Sequence, residues 1–186
     1  IHRFGPGGAS RLRLEPEDSR QARQPAAQWT RRERKFHRYD MQRTGCSHIT
    51  IPALLLYTLS RQPAATRHCV FLDDALYRVQ LESRGSTVQP VDYGLHTPGG
   101  VRQISGPRRL EAIALRIKAL TRKADSDDFE LLELRGELVI HIDPEYHLPV
   151  QVSGSRGGAG RITIGLTGAT LAAEPGNPAT TDRNTP

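Results

Sequence analysis

The stretch Glu111-Ala112-Ile113-Ala114-Leu115-Arg116-Ile117-Lys118-Ala119 decides the fold class. Alanine and leucine favour a helix. A helix would scatter Ile113, Leu115 and Ile117 around its circumference, whereas an extended chain lines them up on one face. Arg116 and Lys118 then meet water on the other. A one-residue slip would invert that arrangement, so the alternation specifies a strand.

The same period of two recurs on both sides. Upstream, His68–Leu72 and Leu76–Leu81 read as strands joined by a turn at Asp73-Asp74, with Tyr77, Val79 and Leu81 sharing a face. Arg84-Gly85-Ser86 reads as another turn, Thr87–Val91 as a short continuation of the strand, and residues 94–109 as a loop punctuated by Pro98-Gly99-Gly100 and Ser105-Gly106-Pro107, with room for a brief strand at Val101–Ile104. Downstream, strands are expected at 129–134, 137–142, 148–152 and 161–166. Between them, Asp143-Pro144-Glu145-Tyr146 forms a β-turn with Pro in its favoured second position. One helix interrupts the pattern. Thr50 can cap it, Pro52 suits its first turn, and Leu55, Leu56 and Leu59 lie at helical spacing. Close-set strands argue for an antiparallel meander rather than βαβ units. The expected fold is mainly β, a curved half-barrel sheet with one short helix packed on it.

Charge divides the chain. Residues 1–45 hold 11 Arg or Lys against five Asp or Glu, and this accounts for the whole net charge of +6. Residues 1–28 look irregular, and 29–39 give at best a weak edge strand. The expected organisation is a basic, weakly structured arm or truncated sheet over 1–45, an antiparallel β domain over 46–171, and a disordered tail over 172–186. The first residue is Ile1, as expected of a processed or truncated product. No apolar run is long enough to cross a membrane as a helix. Cys46 and Cys69 can pair in an oxidising compartment or remain buried thiols.

Few constellations point to chemistry. His141, Asp143 and His147 bracket one turn and suggest a metal-dependent hydrolase, but their spacing matches no metal motif and a polar hairpin tip explains them. Gly157-Gly158-Ala159-Gly160 leads into a strand, not the helix a phosphate loop requires. Arg31-Arg32-Glu33-Arg34-Lys35 with Trp29, Phe36 and Tyr39 resembles a nucleic-acid contact diluted by Glu33, and no nucleic acid is expected. No catalytic residue, metal or cofactor is assigned.

Three segments carry a family likeness: Gly136–Asp143, then Leu148-Pro149-Val150-Gln151-Val152, then Gly160–Leu166. With the helix around Leu54–Leu59 and the strand Leu76-Tyr77-Arg78-Val79, this span of roughly 44–171 resembles an uncharacterised bacterial exported family, domain of unknown function three-one-zero-eight. The resemblance implies a periplasmic or cell-envelope location and a half-barrel similar to lipoprotein carriers. Residues 1–45 match that family's N-terminal strands poorly. The function expected is non-enzymatic binding of a lipid or other apolar ligand on the concave sheet, by Leu55, Tyr77, Val79, Leu81, Ile113, Leu115 and Ile117. The alternative is an interaction module that meets envelope partners through its sheet edges and basic arm.

Overall fold

A computed structural model describes residues 2–5, 8–38, 44–46, 48–61, 66–122 and 124–171. The expected tail over 172–186 lies outside them, as does Tyr39. Strands dominate. In chain order they are β1 (His2–Gly5), β2 (Gly8–Glu15), β3 (Arg31–Arg38), β4 (Ile49–Thr50), β5 (Arg67–Leu72), β6 (Ala75–Thr97), β7 (Gly100–Ala119), β8 (Arg135–Asp143), β9 (Leu148–Ser155), β10 (Arg161–Gly165) and β11 (Gly168–Thr170). Helix α1 (Pro52–Arg61) lies between β4 and β5. The first three strands form a sheet in the order β1-β2-β3. The larger sheet runs β10-β9-β8-β7-β6-β5-β4, with β11 beside β6. Its path is open, with β10 and β4 at the two ends, which is the connectivity of a half-barrel.

The sheet is mixed rather than a pure meander. β4 and β5 pair in parallel through α1, so the helix is the crossover of a small βαβ unit. Thr50, expected to cap the helix, belongs to β4. The Ile51 carbonyl accepts from Leu54 and Leu55 N–H at 3.0 Å each, and Pro52 takes the first helical position, where its missing N–H costs nothing. β11 also pairs in parallel, with residues 94–96 of β6.

The turn and loop expected inside residues 84–109 are mostly strand. β6 spans 23 residues and β7 spans 20. Gly85 and Gly106 have φ of 81° and 97°; here the glycines bend continuous strands rather than end them. Conversely, residues 129–134 are not a regular strand, because Leu132 and Glu133 turn the chain with positive φ.

The chain groups into two compact units, and β6 and β7 contribute to both. The first comprises residues 1–58, 64–80 and 116–132, the second residues 59–63, 81–115 and 133–186. Residues 1–45 therefore lie wholly within the first unit. There, β5 and β6 are joined by Asp73-Asp74 with φ of 43° and 68°, the left-handed pair of a two-residue hairpin turn that aspartate tolerates. A disulfide joins Cys46 to Cys69, and these packed sulfurs share a buried cluster with Leu76 against Ile49 and Leu120. The Tyr77 ring meets Phe129 edge-on at 5.3 Å.

The second unit is built on Val91, Tyr93, Leu95, Ile104, Leu110 and Val150. Its buried β7 positions are Ile104, Leu110, Ala112, Ala114 and Leu115, while Ile113 is only half-buried. Of the expected inward face, Leu115 is buried and Ile113 and Ile117 are half-buried, while Arg116 and Lys118 are exposed as expected. Ala112 and Ala114 form a buried cluster with Val139, the cross-strand partner of Ala114 on β8. Gly154 on β9 is held to glycine by space: a Cβ there would lie 2.6 Å from Leu138 Cδ2 and 2.9 Å from Leu134 Cβ.

Candidate functional site

Two polar regions stand out, one in each unit. The first is the three-stranded sheet. Its register sorts side chains by parity. Arg38, Phe36, Arg34 and Arg32 on β3 lie opposite Gly8, Ser10, Leu12 and Leu14 on β2, and Arg3 on β1 lies opposite Ser10. These residues share one face, and no described acid lies among them. The other face carries Ala9, Arg11, Arg13 and Glu15 opposite His37, Lys35, Glu33 and Arg31.

The two faces have opposite fates. On the mixed face Ala9 is fully buried, and the Asp74 carboxylate from the β5–β6 turn gathers basic side chains. Arg11 Nη1 lies 3.3 Å from it, His37 Nε2 3.0 Å and Lys35 Nζ 3.6 Å. Glu33 pairs with Lys35 at 3.3 Å, and Glu15 with Arg13. On the arginine face, Arg3, Arg32, Arg34 and Arg38 are exposed and Phe36 is 63% exposed. Arg32 donates to the Trp29 and Ala27 carbonyls at 3.4 Å. Arg3, Ser10, Leu12, Arg34 and Phe36 line a surface cleft. β3 is also the edge of its sheet.

The second region surrounds Asp143 at the end of β8. Its side chain has no exposed surface. Tyr93 O–H donates to Oδ2 at 2.9 Å, Arg108 Nε lies 2.9 Å from the same oxygen, and Glu145 N–H donates to Oδ1 at 2.9 Å. Arg108 also reaches Glu145 at 2.5 Å and lies over the Tyr146 ring. Burial, reinforced by the bond to Asp143, raises the Tyr93 pKa well above the phenolic range. Hydrogen bonding to Tyr146 and then to Arg108 lowers that of Glu145. Asp143, Tyr93, Arg108 and Glu145 are each committed to a neighbour, and a carboxylate satisfied by three donors is a structural device.

That network bears on the hydrolase reading. Asp143 is committed to it, and His147 sits exposed at φ 52° in the turn. Among the described residues no group of three His, Cys, Asp or Glu is placed to hold a metal. The His141 ring has a buried Nδ1 without a hydrogen-bond partner. Desolvation first, then the charge of Arg161, lowers its pKa.

The seven residues expected to bind an apolar ligand divide between the units. Leu55, Tyr77, Val79 and Ile117 belong to the first, and Leu81, Ile113 and Leu115 to the second. Leu55, Tyr77, Val79 and Leu115 are buried in the core, and Leu81, Ile113 and Ile117 are half-buried. The arginine face does not emerge from the sequence as a unit, because β3 is exposed at nearly every position and lacks the apolar alternation of a half-buried strand. Its signal was present: Arg32, Arg34, Phe36 and Arg38 share one parity.

No protein-family model, curated protein or solved structure matches the chain. No helix among the described residues is long and apolar enough to cross a membrane.

Proposed function

We propose that the chain is a non-enzymatic envelope protein that acts as an interaction module, contacting an anionic partner through the arginine face of its three-stranded sheet. One observation carries this reading: four arginines and an exposed phenylalanine share a sheet face with no described acid, while the acids of β2 and β3 lie on the opposite face. Surface arginine is ordinarily interspersed with acids, and a single-sign field attracts counter-charge. The Cys46–Cys69 disulfide supports an oxidising compartment, and with it export. The likeness to an exported bacterial family supports the same location.

Retention on a heparin column tests the reading. Arg34→Gln with Arg38→Gln should lower the salt needed for elution more than Arg13→Gln with Arg31→Gln, which removes equal charge from the opposite face. Equal shifts would attribute retention to net charge and defeat the proposal.

The carrier reading has a narrower basis. It rests on apolar side chains of the larger sheet and of α1, of which Leu55, Tyr77, Val79 and Leu115 already fill the core. Organic extraction of protein purified without detergent decides it: a stoichiometric lipid would restore that reading.

A further inference from the structure

We infer that the occupant of the arginine face is the surface of an anionic phospholipid bilayer. This rests on the reading of that face as a contact surface and names what it contacts. Alternate residues of a strand recur about every 6.7 Å on one face. Arg32, Arg34 and Arg38 therefore form a row along β3, with Phe36 filling the position between the last two. Guanidinium groups bind phosphate bidentately. Leu12 and Leu14 lie beside the row on β2, and Phe36 projects with 63% of its surface exposed.

Cations interleaved with apolar groups match the headgroup boundary of a bilayer, where phosphates meet the guanidiniums and aromatic and aliphatic side chains enter among the acyl ends. Single-stranded nucleic acid fits less well. It is held by successive aromatic stacking platforms, and Phe36 is the one aromatic described on this face.

Vesicle flotation of the full chain tests the inference. The protein should float with mixed phosphatidylcholine–phosphatidylglycerol vesicles and stay behind with pure phosphatidylcholine. Arg34→Gln with Arg38→Gln should weaken partitioning by about fivefold per charge removed, and Phe36→Ser should weaken it further. Arg13→Gln with Arg31→Gln should have a smaller effect. Absence of flotation with the mixed vesicles overturns the bilayer assignment, as does equal sensitivity to the two pairs. A single-stranded oligonucleotide bound in a manner sensitive to Arg34 and Arg38, without flotation, overturns it in favour of nucleic acid. The heparin comparison is independent of lipid: success there with failed flotation removes the bilayer alone, whereas failure in both removes the contact surface.

Discussion

In the second unit Arg108 lies against a carboxylate with no exposed surface, whereas on the three-stranded sheet Arg32, Arg34 and Arg38 share a face with no described acid. The same side chain serves opposite ends. Around Asp143 the charge has been taken out of water and must be met in place, so Tyr93, Arg108 and the Glu145 N–H surround it. On the sheet Arg34 and Arg38 keep their water and their charge remains available to something outside, while Arg32 is also held by the Trp29 and Ala27 carbonyls. A buried ion pair is costly to break, while an exposed charge contributes little to stability. The difference marks Asp143 as part of the fold and accords with the contact role proposed for the sheet face.

The sharpest way to break that comparison is to remove Arg108. Arg108→Ala leaves a buried carboxylate short of its cation and should cost about 3–5 kcal/mol, read as a fall in the denaturation midpoint. Asp143→Asn in the same chain should recover part of the loss, because the group left behind is then neutral. A loss near that of a surface substitution would show that water reaches Asp143 and would erase the distinction. Tyr93→Phe removes one bond to the same carboxylate and should cost about 1.5–3 kcal/mol, checked by the same denaturation.

The acid limb of the stability curve gives a smaller effect from the same unit. The folded-state pKa of His141 lies below its ordinary 6.5. The unfolded chain therefore takes up a proton that the folded chain refuses, and stability falls as pH drops below about 6.5. His141→Gln should flatten that part of the profile. An unchanged slope would place its origin in other groups.

Much of the larger sheet was legible in the sequence because its signals are local. Asp73-Asp74 marks a hairpin turn by residue type, Asp143-Pro144 marks another, and Val139, Ile140 and Ile142 supply an apolar run. Three kinds of feature escaped. Glycine was read as punctuation at Gly85 and Gly106, where it permits a bend within a strand that continues. The Asp143 network was flagged for its acids and histidines, but the partners that explain it, Tyr93 and Arg108, stand 50 and 35 residues away. No spacing rule connects them. The three-stranded sheet was obscured by its charge, since β3 is exposed along almost its whole length and lacks the apolar alternation of a half-buried strand.

The smallest expected change in stability is the one that sharpens the comparison most. Arg34→Gln and Arg38→Gln touch exposed side chains with no described acid beside them, so each should shift stability by less than about 0.5 kcal/mol. Each should nonetheless weaken partitioning onto anionic vesicles. A side chain that the fold does not need and a partner does is separated from a structural one by this pairing of a neutral denaturation curve with a lost interaction. If instead the two substitutions destabilise the chain by as much as Tyr93→Phe does, the arginines are holding the sheet together. The two regions would then differ only in burial, and the case for a contact face would fall with that difference.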